Sequence, residues 1–176
     1  MKSESETIIN SLHQNWIWLP NWQDSSPKPT AGHLVKFRRS FHLSSIPSKA
    51  IVHCTADTRY KLFINSHRVN LGPARSNPER WIYDTLDISP YLQVGENEVI
   101  FIVMRYFLGL KVGFPFVRTA FPGLTVSSKI GEMDISTQYT QDWEVGLVSD
   151  ILFPPVLKDD WCLHVSSLKY NNVLIE

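Results

Sequence analysis

Proline and glycine interrupt this chain too often for long helices: eleven Pro and eight Gly are spread over 176 residues. Pro withholds a backbone donor and Gly loosens the backbone, so both break regular elements. The runs between them are short, and several alternate. Over residues 35–43, Val35, Phe37, Phe41 and Leu43 share one face, while Lys36, Arg38, Ser40 and His42 share the other. Arg39 breaks the apolar face. A period of two marks a half-buried strand.

The same reading extends along the chain. Ala50, Val52, Cys54 and Ala56 line one face, and residues 60–64 resume the pattern after Asp57-Thr58. Residues 65–68 read as a hairpin loop, because Asn tolerates a left-handed backbone. Residues 69–71 form the return strand, stopped by Gly72-Pro73. Residues 76–80 read as a loop, 81–88 as a strand, 89–92 as a short helical turn and 94–97 as a turn. Residues 99–104 are apolar on both faces, as in a central strand. Further strands are expected over 123–130, 144–148 and 161–166, and a helix only near 7–15. About eight short strands with turn signals every ~8–12 residues predict an all-β fold, an antiparallel β-sandwich or jelly roll. The expected organisation is an extension over 1–15, one sandwich domain over 16–168 and a tail over 169–176.

Composition narrows the function classes. At 43% hydrophobic residues the chain can build its own core. Lys+Arg and Asp+Glu are both 17, so there is no bulk charge to attract nucleic acid or an anionic membrane. Two Cys do not make a disulfide framework, and Cys54 and Cys162 sit in apolar runs as small buried hydrophobes. The first residues lack the basic and apolar regions of a signal peptide, and no apolar run approaches ~20 residues. The expectation is a cytoplasmic protein without nucleic-acid or membrane partners.

Sequence motifs for enzyme chemistry are missing. There is no G-x-S-x-G, phosphate loop, dinucleotide fingerprint or H-E-x-x-H, and no C-x-x-C or paired His at ligand spacing. No cofactor is therefore expected. Asp84, Asp87, Asp159 and Asp160 stand beside turns or strand ends, where capping is the plain reading. The basic run Lys36-Phe37-Arg38-Arg39 reads as a strand with its cations in solvent.

Two features stand out. Trp16-x-Trp18-Leu19-Pro20-x-Trp22 offers flat faces of the kind that stack on sugar rings, or lids for a core. Residues 99–131 contain no Asp or Glu, yet carry Arg105, Lys111, Arg118 and Lys129 with Tyr106, Phe107, Phe114, Phe116 and Phe121. Residues 105–122 then read as a loop too apolar for free solvent, either a contact surface or a loop folded on itself.

These motifs fall in a familiar order. Trp-Ile-Trp-Leu-Pro-Asn-Trp over 16–22 is followed by Phe-Arg-Arg-Ser-Phe over 37–41 and Thr-Ala-Asp-Thr-Arg-Tyr-Lys-Leu-Phe-Ile-Asn over 55–65. Leu-Gly-Pro-Ala-Arg over 71–75, Trp-Ile-Tyr-Asp-Thr-Leu-Asp-Ile over 81–88 and Tyr-Leu-x-x-Gly-Glu-Asn over 91–97 come next. Arg105-Tyr106-Phe107 and Phe121-Pro122-Gly123-Leu124 complete the series. Over roughly residues 16–166 this resembles the N-terminal β-sandwich of α-L-rhamnosidase-type enzymes, glycoside hydrolase family 78.

The resemblance implies a galactose-binding-like module that precedes a catalytic domain. The family's catalytic acids lie on a separate (α/α)₆ barrel, so no catalytic residue carries over, and the chain reads as ending before that barrel. The implied function is a non-catalytic accessory module; the alternatives are a lectin-like carbohydrate-binding protein and a protein-interaction domain. Implied partners are a rhamnose-containing glycan or glycoside and a catalytic domain not present in this chain. Asp57, Arg59, Tyr60, Asn65 and Arg75 form the expected polar sugar cluster, with Trp18 as a stacking face. The structural alternative pairs Asp57 with Arg59 or Arg75. Tyr106, Phe107, Phe114, Phe116 and Phe121 form the expected interface. One departure concerns the hairpin, where Ser66 stands at a position relatives often fill with Gly, leaving the turn type open.

Overall fold

The computed structural model describes residues 3–20, 22, 33–74, 77, 79–105, 119 and 121–149, and the backbone of 151–152 and 169–170. It is an all-β antiparallel sandwich with one α-helix among the described residues, α1 (Glu4–Gln14). The strands are β1 (His33–Leu43), β2 (Ile51–Asp57), β3 (Arg59–Ile64), β4 (His67–Gly72), β5 (Asp84–Asp87), β6 (Gly95–Arg105), β7 (Gly123–Ser127), β8 (Lys129–Ile130), β9 (Met133–Asp134), β10 (Glu144–Leu147), β11 (Ile151–Leu152) and β12 (Lys169–Tyr170). The larger sheet has five strands in the order β10-β1-β6-β3-β4, and the smaller has three in the order β5-β2-β7. β8 pairs with β9 and β11 with β12. No described helix is long and apolar enough to cross a membrane.

The alternation read from the sequence sets the sheet faces. In β1, Val35, Phe37, Phe41 and Leu43 are buried, and Lys36, Ser40 and His42 are exposed. β6 is the middle strand of its sheet and buries Val99, Phe101 and Val103 completely. These meet Val52, Cys54 and Ala56 of β2 and Leu124 and Val126 of β7, with Leu62 and Ile64 of β3 in the same cluster. Burying such side chains stabilises the fold by about 1.5–3 kcal/mol each, before the entropy of ordering them.

Arg39 keeps the inward phase of β1 yet is only 5% exposed. Its Nη2 donates to the Asp134 carbonyl at 2.7 Å and to Asp142 Oδ2 at 2.9 Å. The break in the apolar stripe is therefore a buried cation that ties β9 and the turn at Thr140–Asp142 to the sandwich.

The hairpin between β3 and β4 closes on Asn65 (φ 48°) and Ser66 (φ 69°), both left-handed. Two positive φ values in a two-residue loop are the type I′ pattern, so Ser66 takes a left-handed conformation that favours Gly.

The helix begins earlier than the periodicity suggested. Ser3 and Glu6 form a reciprocal capping box, with Glu6 N donating to Ser3 Oγ at 3.2 Å and Ser3 N to Glu6 Oε2 at 2.9 Å. α1 packs on β2 and β7, buries Leu12, and receives the Thr125 hydroxyl on the Leu12 carbonyl at 3.0 Å. The strand expected over 81–88 shrinks to Asp84–Asp87. The indole of Trp81 donates to Thr55 Oγ1 at 3.0 Å, so this stretch is held by side chains instead of a ladder. The strand expected over 161–166 and Cys162 lie outside the described residues.

Phe101→Ala should lower the unfolding free energy by about 3–5 kcal/mol, whereas Lys61→Ala should change it by less than about 0.5 kcal/mol, both read by urea denaturation. Equal effects would contradict this assignment of the two faces of the larger sheet.

Candidate functional site

β2 and β6 end side by side, and their last residues carry opposite charges. The inward phase of β6 runs through Asn97, Val99, Phe101, Val103 and Arg105, so Arg105 points between the sheets. Its Nη1 donates to Asp57 Oδ1 at 2.6 Å, and both side chains are 1% exposed. Thr119 completes the node: its amide and hydroxyl donate to Asp57 Oδ2 at 2.7 and 2.6 Å, and its carbonyl accepts from Arg105 Nη2 at 2.8 Å. Thr58 Oγ1 adds a bond to Asp57 Oδ1 at 3.2 Å. The Asp57–Thr58 peptide is cis, as is Gly72–Pro73.

Asp57 does enter an ion pair, with Arg105 and not with Arg59; Arg75 lies outside the described residues. The reason is phase. Arg59 lies opposite Met104, on the outward phase of the larger sheet, while Arg105 is inward. The pair also holds Thr119.

Tyr60 belongs to a second network. Its hydroxyl donates to Asp84 Oδ2 at 2.5 Å and accepts from Asn70 Nδ2 at 2.9 Å and from the Cys54 thiol at 3.3 Å. This links β2, β3, β4 and β5 along one side of the sandwich. Gly72 sits so close to Asp84 and Tyr60 that a Cβ there would strike both. Burial pushes the Tyr60 phenol well above its ordinary value, and the Cys54 thiol beside it and the bond to Asp84 push the same way. Burial likewise pushes the Cys54 thiol up to about 12, against the bond to Tyr60, so it stays a neutral thiol.

Asn65 lies at the far end of β3. Its Nδ2 donates to the Tyr91 carbonyl at 2.9 Å and to Asn97 Oδ1 at 2.8 Å, and its Oδ1 accepts from Glu98 N at 2.8 Å. β3 runs from Arg59, opposite Met104, to Ile64, opposite Val99, which puts Asn65 roughly 17 Å from the Asp57 end. Trp18 is half-buried against Phe37, with ring centroids 5.7 Å apart, and its other neighbour is Trp22 at 5.8 Å. The expected sugar residues thus divide among separate places, and the polar atoms of Asp57, Tyr60 and Asn65 bond to the protein itself. Arg75, Tyr106, Phe107, Phe114 and Phe116 lie outside the described residues.

Among the described residues, the Asp57 end offers aromatic side chains to solvent. Phe121 is 80% exposed, two residues from Thr119, which receives its amide at 3.0 Å. Trp16 is 38% exposed, stands edge-on to Trp81 at 6.4 Å and lies against Gly123. Ile82 is exposed beside them in sequence. The Trp16–Trp81 pair escaped the sequence reading because its members stand far apart along the chain. Among the described residues, no group of three or more His, Cys, Asp or Glu is placed to hold a metal ion.

No family model and no curated protein matches the chain. Solved structures do. A GH78 family rhamnosidase of Bacillus sp. GL1 matches with a TM-score of 0.57 and 27% identity over 78% of this chain. The α-L-rhamnosidase of Dictyoglumus thermophilum matches with a TM-score of 0.56 and 18% identity over 84%. That of Streptomyces avermitilis, complexed with L-rhamnose, matches with a TM-score of 0.51 and 16% identity over 77%. The chain spans only 14%, 18% and 12% of those three chains, respectively. It is similar to a partial module of these enzymes, in agreement with the resemblance read from its motifs.

Asp57→Ala should cost about 3–5 kcal/mol by urea denaturation, because it leaves Arg105 buried without its carboxylate. Hydrogen exchange at the Thr119 and Phe121 amides should accelerate with it, and unchanged exchange there would show that the node does not hold the segment. With Cys162→Ser as background, Cys54 should resist an aromatic disulfide reagent at pH 8 until urea unfolds the protein. Rapid labelling of the native state would contradict its burial.

Proposed function

We propose that this sandwich is the N-terminal, non-catalytic accessory module of an α-L-rhamnosidase-like glycoside hydrolase, a galactose-binding-like scaffold that positions the rest of the enzyme. The observation that supports it most is the 27% identity with a GH78 rhamnosidase across 78% of this chain and 14% of that one. The internal commitment of Asp57, Tyr60 and Asn65 supports a positioning role over a sugar-gripping one. A sugar site needs free polar groups that converge on hydroxyls, and here those groups close the sandwich. Phe121, exposed and held at its base by Thr119, supports a contact surface for a neighbouring domain. Tyr106, Phe107, Phe114 and Phe116 belong to that proposed surface by sequence.

A second reading, a lectin-like rhamnose-glycan binder, is favoured by one observation, the exposed Trp16 edge-on to Trp81. Aromatic faces of this sort stack on the C–H groups of sugars.

Titration calorimetry with L-rhamnose and an assay on an aryl α-L-rhamnoside separate these readings. The accessory role predicts no hydrolysis, no rhamnose binding, and enhanced fluorescence of a hydrophobic dye that Phe121→Ser diminishes. Rhamnose binding that Trp16→Ala abolishes, with the melting temperature kept, would establish the lectin-like reading instead. Hydrolysis by the purified chain would overturn both.

A further inference from the structure

The two sheets are covered unequally. α1 packs on β2 and β7, the outer side of the smaller sheet, whereas no described helix or sheet packs on the outer side of the larger one. That outer side is not uniformly polar. Its middle strand, β6, presents Ile100, Ile102 and Met104 outward, each half-buried. Alternate residues of one strand place these along a stripe about 13 Å long.

Cations border the stripe. Ile102 lies opposite Lys36 on β1 and opposite Lys61 on β3, so a lysine stands on each side of it. Lys61 lies in turn opposite Leu71, which is 52% exposed. Met104 lies between Leu34 and Arg59. Ile100 lies between Arg38 and Phe63, and Phe63 opposite Arg68. Acidic residues enter the described part of this face only toward its other end, where Glu98 and Glu144 both bond Arg38. Among the described residues, the charges around Ile102 and Met104 are positive, in a chain whose formal net charge is zero.

The same face has a recess at its β10 edge, beside the stripe. Gly146 lies opposite Lys36, and nothing comes within 4 Å of where its Cβ would be. A groove of about 400 Å³ opens there, lined by Lys36, Arg38, Glu144, Gly146 and the residues that follow to Ser149.

We infer that this face is a docking surface for a protein partner that lays an amphipathic helix along Ile100, Ile102 and Met104, with carboxylates on both flanks. A sheet face with an apolar stripe is completed by a further layer, and an amphipathic helix with its single apolar stripe matches the one narrow stripe of β6. The lysines on both sides of Ile102 select acidic flanks by charge complementarity. A polyanion such as nucleic acid would use the cations but not the apolar centre, and a second copy of this chain would bring like charge against like charge. The inference rests on this face alone and stands whether or not the accessory-module reading holds.

The probe is a synthetic amphipathic helix with leucines at i, i+4 and i+7 and glutamates on both flanks, with a lysine-flanked version as control. The glutamate peptide should bind the intact protein by calorimetry, weaken with added salt, and shift the amide resonances of Ile100 and Ile102. Lys36→Glu with Lys61→Glu should reverse the preference toward the lysine peptide by about tenfold or more, at an unchanged melting temperature. These exposed positions leave the core intact, and the wild-type resonance map is an independent readout. No binding of either peptide, equal binding of both, or shifts confined to other surfaces would overturn the inference. So would binding of heparin or duplex DNA in place of the peptide, or concentration-dependent dimerisation through this face.

Discussion

A polar group inside an apolar interior is costly unless it is hydrogen-bonded, and a charge costs more unless it is also paired. Strand β6 carries one at each end of its inward row, Asn97 and Arg105, with Val99, Phe101 and Val103 between them. Much of the loop structure answers that demand. At one end, Asn97 Nδ2 donates to the carbonyls of Gln93 and Gly95, and its Oδ1 accepts from Asn65 and from Gln93 N. At the other, Arg105 engages Asp57, and Thr119 bonds to both. The apolar middle drives the sheets together, and the polar ends decide where the connecting segments lie.

The same division explains the candidate site. Asp57, Tyr60 and Asn65 have the chemistry of sugar ligands, but each spends its donors and acceptors on closing the sandwich. Tyr60 joins the edges of the two sheets through Asp84 and Asn70, and Asn65 brackets the hairpin to Tyr91, Asn97 and Glu98. Among the described residues, the open surfaces are of another kind: an exposed aromatic corner at Trp16 and Phe121, and a cation-bordered apolar stripe on the outer side of β6.

Much of the architecture was legible along the chain because the side-chain period of a strand is local information. The alternation over 35–43 predicted which residues of β1 are buried, and the two-sided apolar run over 99–104 predicted that β6 is central. The helix start was missed because a capping box at Ser3 and Glu6 extends α1 beyond its apolar periodicity. The ladder over 81–83 was over-read because Trp81, though of strand-favouring type, is held by its indole on Thr55.

The amino-acid sequence by itself determined the class of fold, the inward and outward rows of its long strands and the motif order that resembles a rhamnosidase module. Those depend on neighbours two residues apart and on residue type. Only the tertiary structure decided that Asp57 pairs with Arg105, 48 positions away, that Trp16 meets Trp81, and that lysines of two strands flank one isoleucine. Such pairings depend on strand order and register, which bring distant residues within a few ångströms and which no local period encodes.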